Sequence, residues 1–490
     1  MNHSVSTVKK VLFTTVFTVL FLPILQLNLH LFIVKDLEGT FEKSNNIELT
    51  NELWFSTEFQ EKKEKFLNEN FGFRNTCIRL MNQINFVLFK KTSSIETVIG
   101  ENNYLFAKTY IESLSGDNYI GNDAVLKKVF LVKSLQEKLK KSGKIFLPVI
   151  APNKAMFYEE YLPSEVLKHK YTNYEAFKYC FDKLNIKYID FQSFFMTIKN
   201  TTKYPLFTKY GIHWSSYGHS LATDSIINYL NVNCNLITNK LIYKNNIVVS
   251  DSLMDLDYDI AKSMNLFVDQ LKSEPAAYPN YSYTKTTNNK PPLLVIGDSF
   301  NFGLQKTEMQ NEVFSDYKLL YYFKELIPYS SDREAFKKLN IKDEIDNHQV
   351  IMMLFTEQNF VNYGCGFIEK ALNIIDGKDN GGFDEKENKI LEMVKNIHNN
   401  KEWLDKIKKE SNDKNINLDS LIRENAIYMV NILEEERNKK RADEINGMIK
   451  FIKKDPSWMK TIESKAKELN LPVDSVILKD AIYQVDIHEK

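Results

Sequence analysis

The stretch "PPLLVIGDSF" (residues 291–300) decides the fold, because a continuous apolar run ends at a glycine that is followed by two polar residues. Such a run between prolines and a glycine predicts a short, buried strand. Gly297, Asp298 and Ser299 then form a turn, and the residues after Ser299 can open a helix. A serine in a strand-to-helix turn presents its hydroxyl at the carboxyl edge of a sheet. An ordinary capped helix after a strand is the alternative interpretation.

Four further apolar runs alternate with helical patterns between about residues 85 and 370. They are "KIFLPVIAP" (144–152), "IKYIDF" (186–191), "YKLLYYF" (317–323) and "HQVIMMLF" (348–355). Short continuous apolar strands separated by helices predict a parallel sheet with helices on both faces. We therefore predict an α/β domain over residues 76–375.

The loop "GIHWSSYG" (211–218) offers a base for the serine of the turn. The chain contains 8 histidines, and His213 lies between Gly211 and Gly218, which favours an ordered loop over a helix face. A serine hydroxyl becomes nucleophilic beside a base, and imidazole serves this purpose near neutral pH. A structural histidine is the alternative, but two such loops beside one α/β sheet support a Ser299–His213 site.

Three other residues are candidates for a supporting role at the same edge of the sheet. Glu357 follows the strand "HQVIMMLF" and is a candidate carboxylate, with a solvated loop residue or helix cap as the alternative. Asp298 lies inside the turn, where its side chain is expected to brace the backbone. Lys154, in "APNK", follows another strand and is a candidate for contacting substrate oxygens, with a surface lysine as the alternative.

The N-terminus predicts a membrane anchor. Lys9 and Lys10 precede residues 11–34, a segment without Asp, Glu, Lys or Arg. This segment is long enough to cross the hydrocarbon layer and longer than the core of a cleaved signal peptide. The two lysines favour a cytoplasmic N-terminus, so the remainder of the chain is expected outside the cytoplasm. A buried N-terminal helix is the alternative, and residues 35–75 are expected to form a helical connector.

The C-terminal region is highly charged and contains an internal repeat. After a polar linker at residues 376–390, residues 403–430 match residues 458–485 at a constant offset of 55, and ten positions are identical. Each unit predicts two helices, the second capped by Asp419 or Asp474. Repeated units of this kind bury their apolar faces on their neighbours. We predict a module of two helical hairpins over residues 391–490, with its tryptophans and tyrosines mainly in the core.

Composition excludes some classes of function. Lys and Arg together number 64, as do Asp and Glu, so the net charge is zero and no nucleic-acid partner is expected. No histidine or cysteine spacing is typical of a zinc site, and neither a metal nor a cofactor is expected. The four cysteines are scattered, and the sequence does not choose among their pairings. Cys180, on a predicted helix, is expected to be a buried free thiol.

Residues 60–370 resemble the SGNH hydrolase-like domain of the alginate O-acetyltransferase family, of the AlgX/AlgJ type. The resemblance rests on five blocks in the family's order: "ENFGFRN" (69–75), "VIGENNYLF" (98–106), "VIAPNKAMFYEEYLP" (149–163), "GIHWSSYG" (211–218) and "VIGDSF" (295–300). It implies acyl transfer through a serine, with Ser299 as nucleophile and His213 as base. It also implies an exported polysaccharide as substrate and a multispanning membrane acyltransferase as a candidate partner.

The chain departs from the family at one position that bears on the chemistry. The family's histidine motif is Asp-x-His-Trp, in which the carboxylate fixes the imidazole tautomer, but this chain has Gly211 in the place of that aspartate. Without a carboxylate on its second nitrogen, His213 is a poorer base. Three interpretations follow: a Ser–His dyad, a carboxylate supplied from elsewhere in the chain, or a degenerate site that binds polysaccharide without turnover.

The sequence as a whole predicts an anchored, extracytoplasmic protein with an SGNH-like domain and a C-terminal helical module. Its expected activity is transfer of an acyl group, acetyl in the family, to or from an exported or cell-surface polysaccharide. A glycan-binding or scaffold subunit of a polysaccharide modification complex is the alternative. A carboxylate close to His213 in three dimensions favours the enzyme.

Overall fold

The computed structural model of the chain describes residues 2–39, 44–50, 54–55, 58–166, 170–268, 270–328, 335–383, 385–414, 418–469 and 472–488. The chain divides into two compact units, Met1–Gly381 and Gly382–Lys490. Each unit is described by itself.

The first unit is built on a six-stranded sheet and two small antiparallel pairs. The strands are β1 (Thr97–Ile99), β2 (Leu105–Ala107), β3 (Ile145–Ala151), β4 (Ile189–Asp190), β5 (Leu241–Ser250), β6 (Ala276–Tyr283), β7 (Leu293–Gly297), β8 (Tyr317–Tyr321), β9 (Glu325–Ile327) and β10 (Val350–Thr356). The main sheet has the order β4-β3-β10-β7-β8-β9, and β1 pairs with β2 and β5 with β6. Every pair of the main sheet is parallel except β8 with β9.

Helices surround this sheet. They are α1 (Asn2–Leu29), α2 (Glu58–Asn70), α3 (Arg74–Phe89), α4 (Lys108–Ser115), α5 (Asn122–Lys141), α6 (Lys154–Phe157), α7 (Asn173–Lys183), α8 (Phe191–Ile198), α9 (Ser216–Asn233), α10 (Asp259–Ser263), α11 (Asn301–Lys306), α12 (Met309–Glu312), α13 (Ile341–Asn347) and α14 (Phe367–Ile375). Short 3-10 helices cover Glu101–Asn103, Glu159–Tyr161, Asp255–Tyr258 and Glu357–Asn362.

The three central strands are buried on both sides, which explains their continuous apolar sequences. Every residue of β7 and β10 is buried. Alternate residues of β3, β7 and β10 join α8 and α9 in one hydrophobic cluster, while α5 packs against β3 and α14. The parallel direction places the carboxyl ends of β3, β7 and β10 at one edge, and the candidate residues lie just after these ends.

The structure confirms the five predicted strands, although the run at 186–191 contributes only the two residues of β4. The prediction of a parallel sheet holds only in part, because β9 pairs antiparallel with β8 at one edge of the sheet. The connector at 35–75 is only partly helical: among its described residues, 35–39 and 44–50 lie outside helices, and α2 covers Glu58–Asn70. This helix buries no residue, and the segment before it has no helical period in its apolar residues.

Helix α1 has the properties expected of a membrane span. Its segment Thr7–Leu29 has 23 residues, and the most apolar 18-residue stretch within it has a mean hydropathy of 1.9 and is 6% buried. The helix ends at Leu29, so it stops short of the predicted boundary at residue 34. Pro23 lies inside it, and the side chain of Gln26 binds the backbone of Phe32 through both its oxygen and its nitrogen.

The second unit is helical throughout its described elements. They are α15 (Glu385–Asn399), α16 (Lys401–Lys414), α17 (Leu418–Lys454), α18 (Pro456–Leu469) and α19 (Val473–His488). Asp419 and Asp474 are each the second residue of their helix rather than the predicted N-cap. In the first turn, a carboxylate still interacts favourably with the helix dipole.

Burial in this unit follows the 55-residue offset at the matched positions that the structure describes. Ala426 and Ala481 are both fully buried. Tyr428 and Tyr483, in contrast, are 65% and 63% exposed. The expectation that these tyrosines lie in the core is therefore wrong. The tryptophans are half-buried against two separate apolar clusters. The repeat itself stays a prediction from the sequence.

Candidate active site

The turn that carries Ser299 is held by a buried carboxylate and a close backbone contact. Gly297 pairs with Leu354 of β10, and a Cβ added to Gly297 would lie 2.8 Å from the Leu354 carbonyl, so this position needs glycine. Asp298 accepts hydrogen bonds from the Phe300 amide at 3.1 Å, from both the amide and the hydroxyl of Thr356, and from the side chain of Asn359. Asp298 therefore braces the turn, in agreement with the sequence.

The loop that carries His213 approaches this turn from the other side. His213 is 8% exposed, and its Nε2 lies 2.7 Å from the Ser299 hydroxyl oxygen. The next residue, Trp214, donates from its indole nitrogen to the Phe300 carbonyl at 3.1 Å. A Cβ on Gly303 would lie 2.4 Å from that indole nitrogen. Glycine at this position of α11 therefore allows the loop with His213 to pack against the helix that follows Ser299. Serine and imidazole are thus fixed at hydrogen-bonding distance.

The second nitrogen of the imidazole faces a carboxylate that the sequence did not single out. His213 Nδ1 contacts the Oδ2 atom of Asp259. The other oxygen of Asp259, Oδ1, accepts hydrogen bonds from the Ile212 amide at 2.8 Å and from the amide of the next residue, Ile260, at 2.6 Å. These bonds fix the orientation of the carboxylate, so that Ser299, His213 and Asp259 form a continuous chain of hydrogen bonds.

Asp259 is the first residue of α10, which follows the 3-10 helix Asp255–Tyr258. The neighbouring Asp257 is buried and binds both the amide and the hydroxyl of Ser216, the first residue of α9. Burial raises the pKa of Asp257 to about 7. Of the two carboxylates, only Asp259 contacts the imidazole. The acidic cluster "DLDYD" (255–259) was the available signal in the sequence, but its spacing does not say which aspartate reaches the site.

Glu357 does not supply the carboxylate, which corrects one of the candidate roles. Its two oxygens accept hydrogen bonds at 3.3 Å, one from the Asn153 side chain and one from the Tyr174 amide. The side chain is buried, and burial raises the pKa of Glu357 to about 7. Glu357 therefore joins the end of β10 to the start of α7 instead of reaching His213.

Gly211, at the family's aspartate position, has no room for a side chain. A Cβ there would lie 2.5 Å from the Leu256 carbonyl and 2.8 Å from the Thr208 hydroxyl. The segment that contributes Asp257 and Asp259 passes directly against this glycine. The small residue at position 211 is what lets a carboxylate from the other segment approach the imidazole.

Lys154 is neither a substrate contact nor a surface residue, contrary to both predictions. It is fully buried, and its ammonium donates to the carbonyls of Leu105, Lys209 and Gly211 at 2.8, 3.0 and 2.7 Å. Gly211 is two residues before His213. The three N–H groups of an ammonium match these three acceptors, so Lys154 ties the histidine loop to β2.

Replacing Lys154 by methionine is expected to lower the free energy of unfolding by about 2–5 kcal/mol, because three buried carbonyls lose their donor. Burial lowers the pKa of Lys154 to about 7, whereas the unfolded chain titrates near its usual value of about 10.4. Since the native state releases this proton at the lower pH, the residue's contribution to stability increases between about pH 7 and pH 10. The difference in the free energy of unfolding between wild type and Lys154→Met should therefore increase from about pH 7 to about pH 10.

Thermal unfolding across that pH range measures the effect. Lys170→Met is the matched control, because Lys170 is 73% exposed and pairs with Asp117 at the surface. Equal losses of stability in the two variants would contradict the structural role of Lys154.

Chemically, the arrangement offers a nucleophile, a base and an orienting carboxylate. Ser299 is half-buried. In the part of the chain that the structure describes, no group of three or more His, Cys, Asp or Glu side chains is placed to hold a metal ion. None of the four cysteines, all within that part, forms a disulfide, and Cys180 is half-buried rather than buried.

Comparison with known families agrees with the resemblance seen in the sequence. Residues 97–302 match the family model described as the SGNH hydrolase-like domain of the acetyltransferase AlgX. This range contains β1 through β7 and both Ser299 and His213. The predicted SGNH hydrolase-like resemblance is therefore confirmed. No curated protein sequence matches the chain.

Several solved structures are similar to part of the chain. The O-acetyltransferase domain of Pseudomonas putida AlgJ has 16% identity and a TM-score of 0.38, and the match covers 57% of this chain and 99% of that one. Bacillus cereus PatB1 has 13% identity and a TM-score of 0.36, with 55% and 99% covered. Pseudomonas aeruginosa AlgX has 13% identity and a TM-score of 0.37, with 59% and 69% covered.

Proposed function

We propose that the chain transfers an acyl group, acetyl in the first instance, to or from an exported or cell-surface polysaccharide through Ser299, His213 and Asp259. The observation that carries this proposal is the unbroken contact from the Ser299 hydroxyl through both nitrogens of His213 to the Asp259 carboxylate. The match to an acetyltransferase family model over residues 97–302 supports the choice of acetyl.

In the first half-reaction, the Ser299 oxygen attacks the carbonyl carbon of the acyl donor while His213 Nε2 takes the hydroxyl proton. Asp259 holds the imidazole in the correct tautomer and stabilises the imidazolium that forms. The oxyanion of the tetrahedral intermediate needs an N–H donor. The Phe300 amide already donates to Asp298, so we assign this role to the Ser299 amide of the same turn.

The intermediate then expels the donor's leaving oxygen, which receives the proton from His213, and an acyl-serine ester remains. In the second half-reaction, a sugar hydroxyl gives its proton to His213 and attacks the ester carbonyl. Collapse of this second intermediate releases the acylated sugar and returns the proton to Ser299. Water in place of the sugar gives an esterase.

The location that suits this chemistry is the outer side of a membrane, with α1 as anchor and a polysaccharide as acceptor. The length and hydropathy of α1 and the preceding Lys9 and Lys10 support the anchor. A multispanning acyltransferase remains the candidate for supplying the acyl group, on the family resemblance alone.

The proposal is tested by incubating the full chain in detergent with p-nitrophenyl acetate and digesting the quenched protein. Mass spectrometry should find one added acetyl group on the peptide that contains Ser299, together with release of acetate. His398, on the exposed surface of the second unit, provides the control variant His398→Ala, which should acetylate normally. A chain that retains alginate as a probe, yet forms no acetyl-serine, would instead support the glycan-binding subunit.

A further inference from the structure

Helix α3 has its apolar side turned away from the protein. Its buried residues are Arg79, Asn82 and Phe86, two of which are polar. The opposite face consists of Cys77, Leu80, Met81, Ile84, Val87 and Leu88, and we call these six residues the outer face of α3. The five members other than Cys77 are between 40% and 68% exposed, and none of the six carries a charge. Surface helices of soluble proteins have the reverse arrangement.

The polar inner residues explain how the helix is held although Phe86 is its single buried apolar side chain. Arg79 donates to the carbonyl of Leu266 at 3.1 Å and also binds the carbonyl of Asp36. Asn82 donates to the carbonyls of Met264 and Asn265. These hydrogen bonds to the backbone act together with the packing of Phe86 in a buried apolar cluster that includes Leu105 and Met264. The apolar side chains of the outer face take no part in that cluster and are left for a contact outside the domain.

The start of α3 lies against the end of the membrane-span candidate α1. A Cβ on Gly72 would lie 2.2 Å from the Pro23 carbonyl and 2.6 Å from Gln26, both in the last turns of α1. The rings of Phe32 and Phe73 are 5.7 Å apart. If α1 spans the bilayer with its N-terminus in the cytoplasm, this junction lies in the outer part of the bilayer, because Pro23 and Gln26 precede the end of α1 at Leu29. Helix α3 begins there.

The flanks of α3 also suit a lipid surface. Lys90 and Lys91 follow its last residue, and both are exposed. A helix with a wide apolar face bordered by basic residues lies in the plane of the headgroup region, where the apolar side chains insert and the cations meet anionic lipids. The exposed Phe267 and Val268 adjoin α3, because the Val268 amide donates to Gln83 of that helix.

We propose that the outer face of α3 inserts into the outer surface of the bilayer and holds the hydrolase-like domain against the membrane. The inference rests on the proposed anchor α1. It assigns the face to lipid rather than to a second copy of the chain, because the face begins at the junction with α1 and Lys90 and Lys91 follow its other end. Arg79 and Asn82 of α3 donate hydrogen bonds to the loop 264–266. This loop directly follows α10, which carries Asp259. The proposed site is therefore fixed at a short distance from the lipid surface.

The test uses the full chain with its four cysteines replaced by alanine, reconstituted in vesicles of phosphatidylcholine and phosphatidylglycerol. Single cysteines introduced by Ile84→Cys and Leu88→Cys carry an environment-sensitive fluorophore. Lipids with a nitroxide near the headgroup serve as quencher. At both positions, we expect emission at shorter wavelength and a loss of intensity when the nitroxide lipid is present. Tyr179→Cys, at a 58% exposed position of α7, should show neither change.

A fourth label separates failure of this inference from failure of the anchor. Val16→Cys lies within α1 and should be quenched by a nitroxide placed deeper in the acyl chain. If Val16 is quenched while Ile84 and Leu88 report water, the membrane contact of α3 is wrong and the anchor stands. A short-wavelength signal at Leu88 that lipid nitroxides do not quench would overturn the lipid assignment in favour of a protein partner. An unquenched Val16 would overturn the anchor and the inference together.

Discussion

Ser299→Ala and His213→Ala are each expected to lower turnover of an acyl ester by roughly four to six orders of magnitude. The serine variant lacks the nucleophile, and the histidine variant lacks the group that accepts its proton 2.7 Å away. The rate of acetate release from p-nitrophenyl acetate by purified protein measures both effects. The double variant should be little worse than either single variant, because residues that act as one unit are strongly non-additive.

A structural histidine would give a different result. Removing it would lower the melting temperature and leave the activity of the folded fraction unchanged. Thermal unfolding of each variant is therefore measured beside turnover. Independent, additive losses in the two single variants would refute a shared step between Ser299 and His213.

Asp259→Asn should produce the second largest loss, roughly three to four orders of magnitude in kcat. The amide is nearly isosteric with the carboxylate, but it no longer stabilises the imidazolium and it allows the wrong tautomer of His213. The loss should be in kcat rather than in KM, since Asp259 contacts the base and not the substrate. Steady-state kinetics on the same ester separate the two parameters.

Glu357→Gln is the matched control, because it makes the same change of carboxylate to amide at the residue that the sequence offered as a candidate carboxylate. Glu357 binds Asn153 and Tyr174, so its replacement should leave kcat within a few-fold of wild type. Strong impairment of the Glu357 variant together with a normal Asp259 variant would overturn the assignment of the carboxylate.

The sequence allowed the sheet, Ser299 and His213 to be predicted because each leaves a local pattern. The strands are buried on both faces and are continuous apolar runs, and Ser299 and His213 lie in glycine-bounded turns beside them. Asp259 leaves no such pattern: it lies 46 residues from His213, and the contact is formed only by the tertiary fold. Its neighbours Asp255 and Asp257 have the same local composition.

Other features were missed for related reasons. The burial of Lys154 depends on three carbonyls from two distant segments, and a lysine after a strand is ordinarily assigned to the surface. Helix α3 is amphipathic, but a hydrophobic period does not say whether the apolar side faces the core or the outside. Only the burial of Arg79 and Asn82 shows that this helix is turned outward.

The glycine at position 211, together with the carboxylate of Asp259 at the imidazole, bears on how such proteins are classified as active or inactive. A motif search that demands an aspartate two residues before the histidine would class this chain as a pseudoenzyme. Yet a carboxylate contacts His213 Nδ1, and it comes from a segment that packs against Gly211. An acid that a motif lacks can thus be supplied by another part of the polypeptide, and loss of catalysis is better judged from coordinates than from a motif.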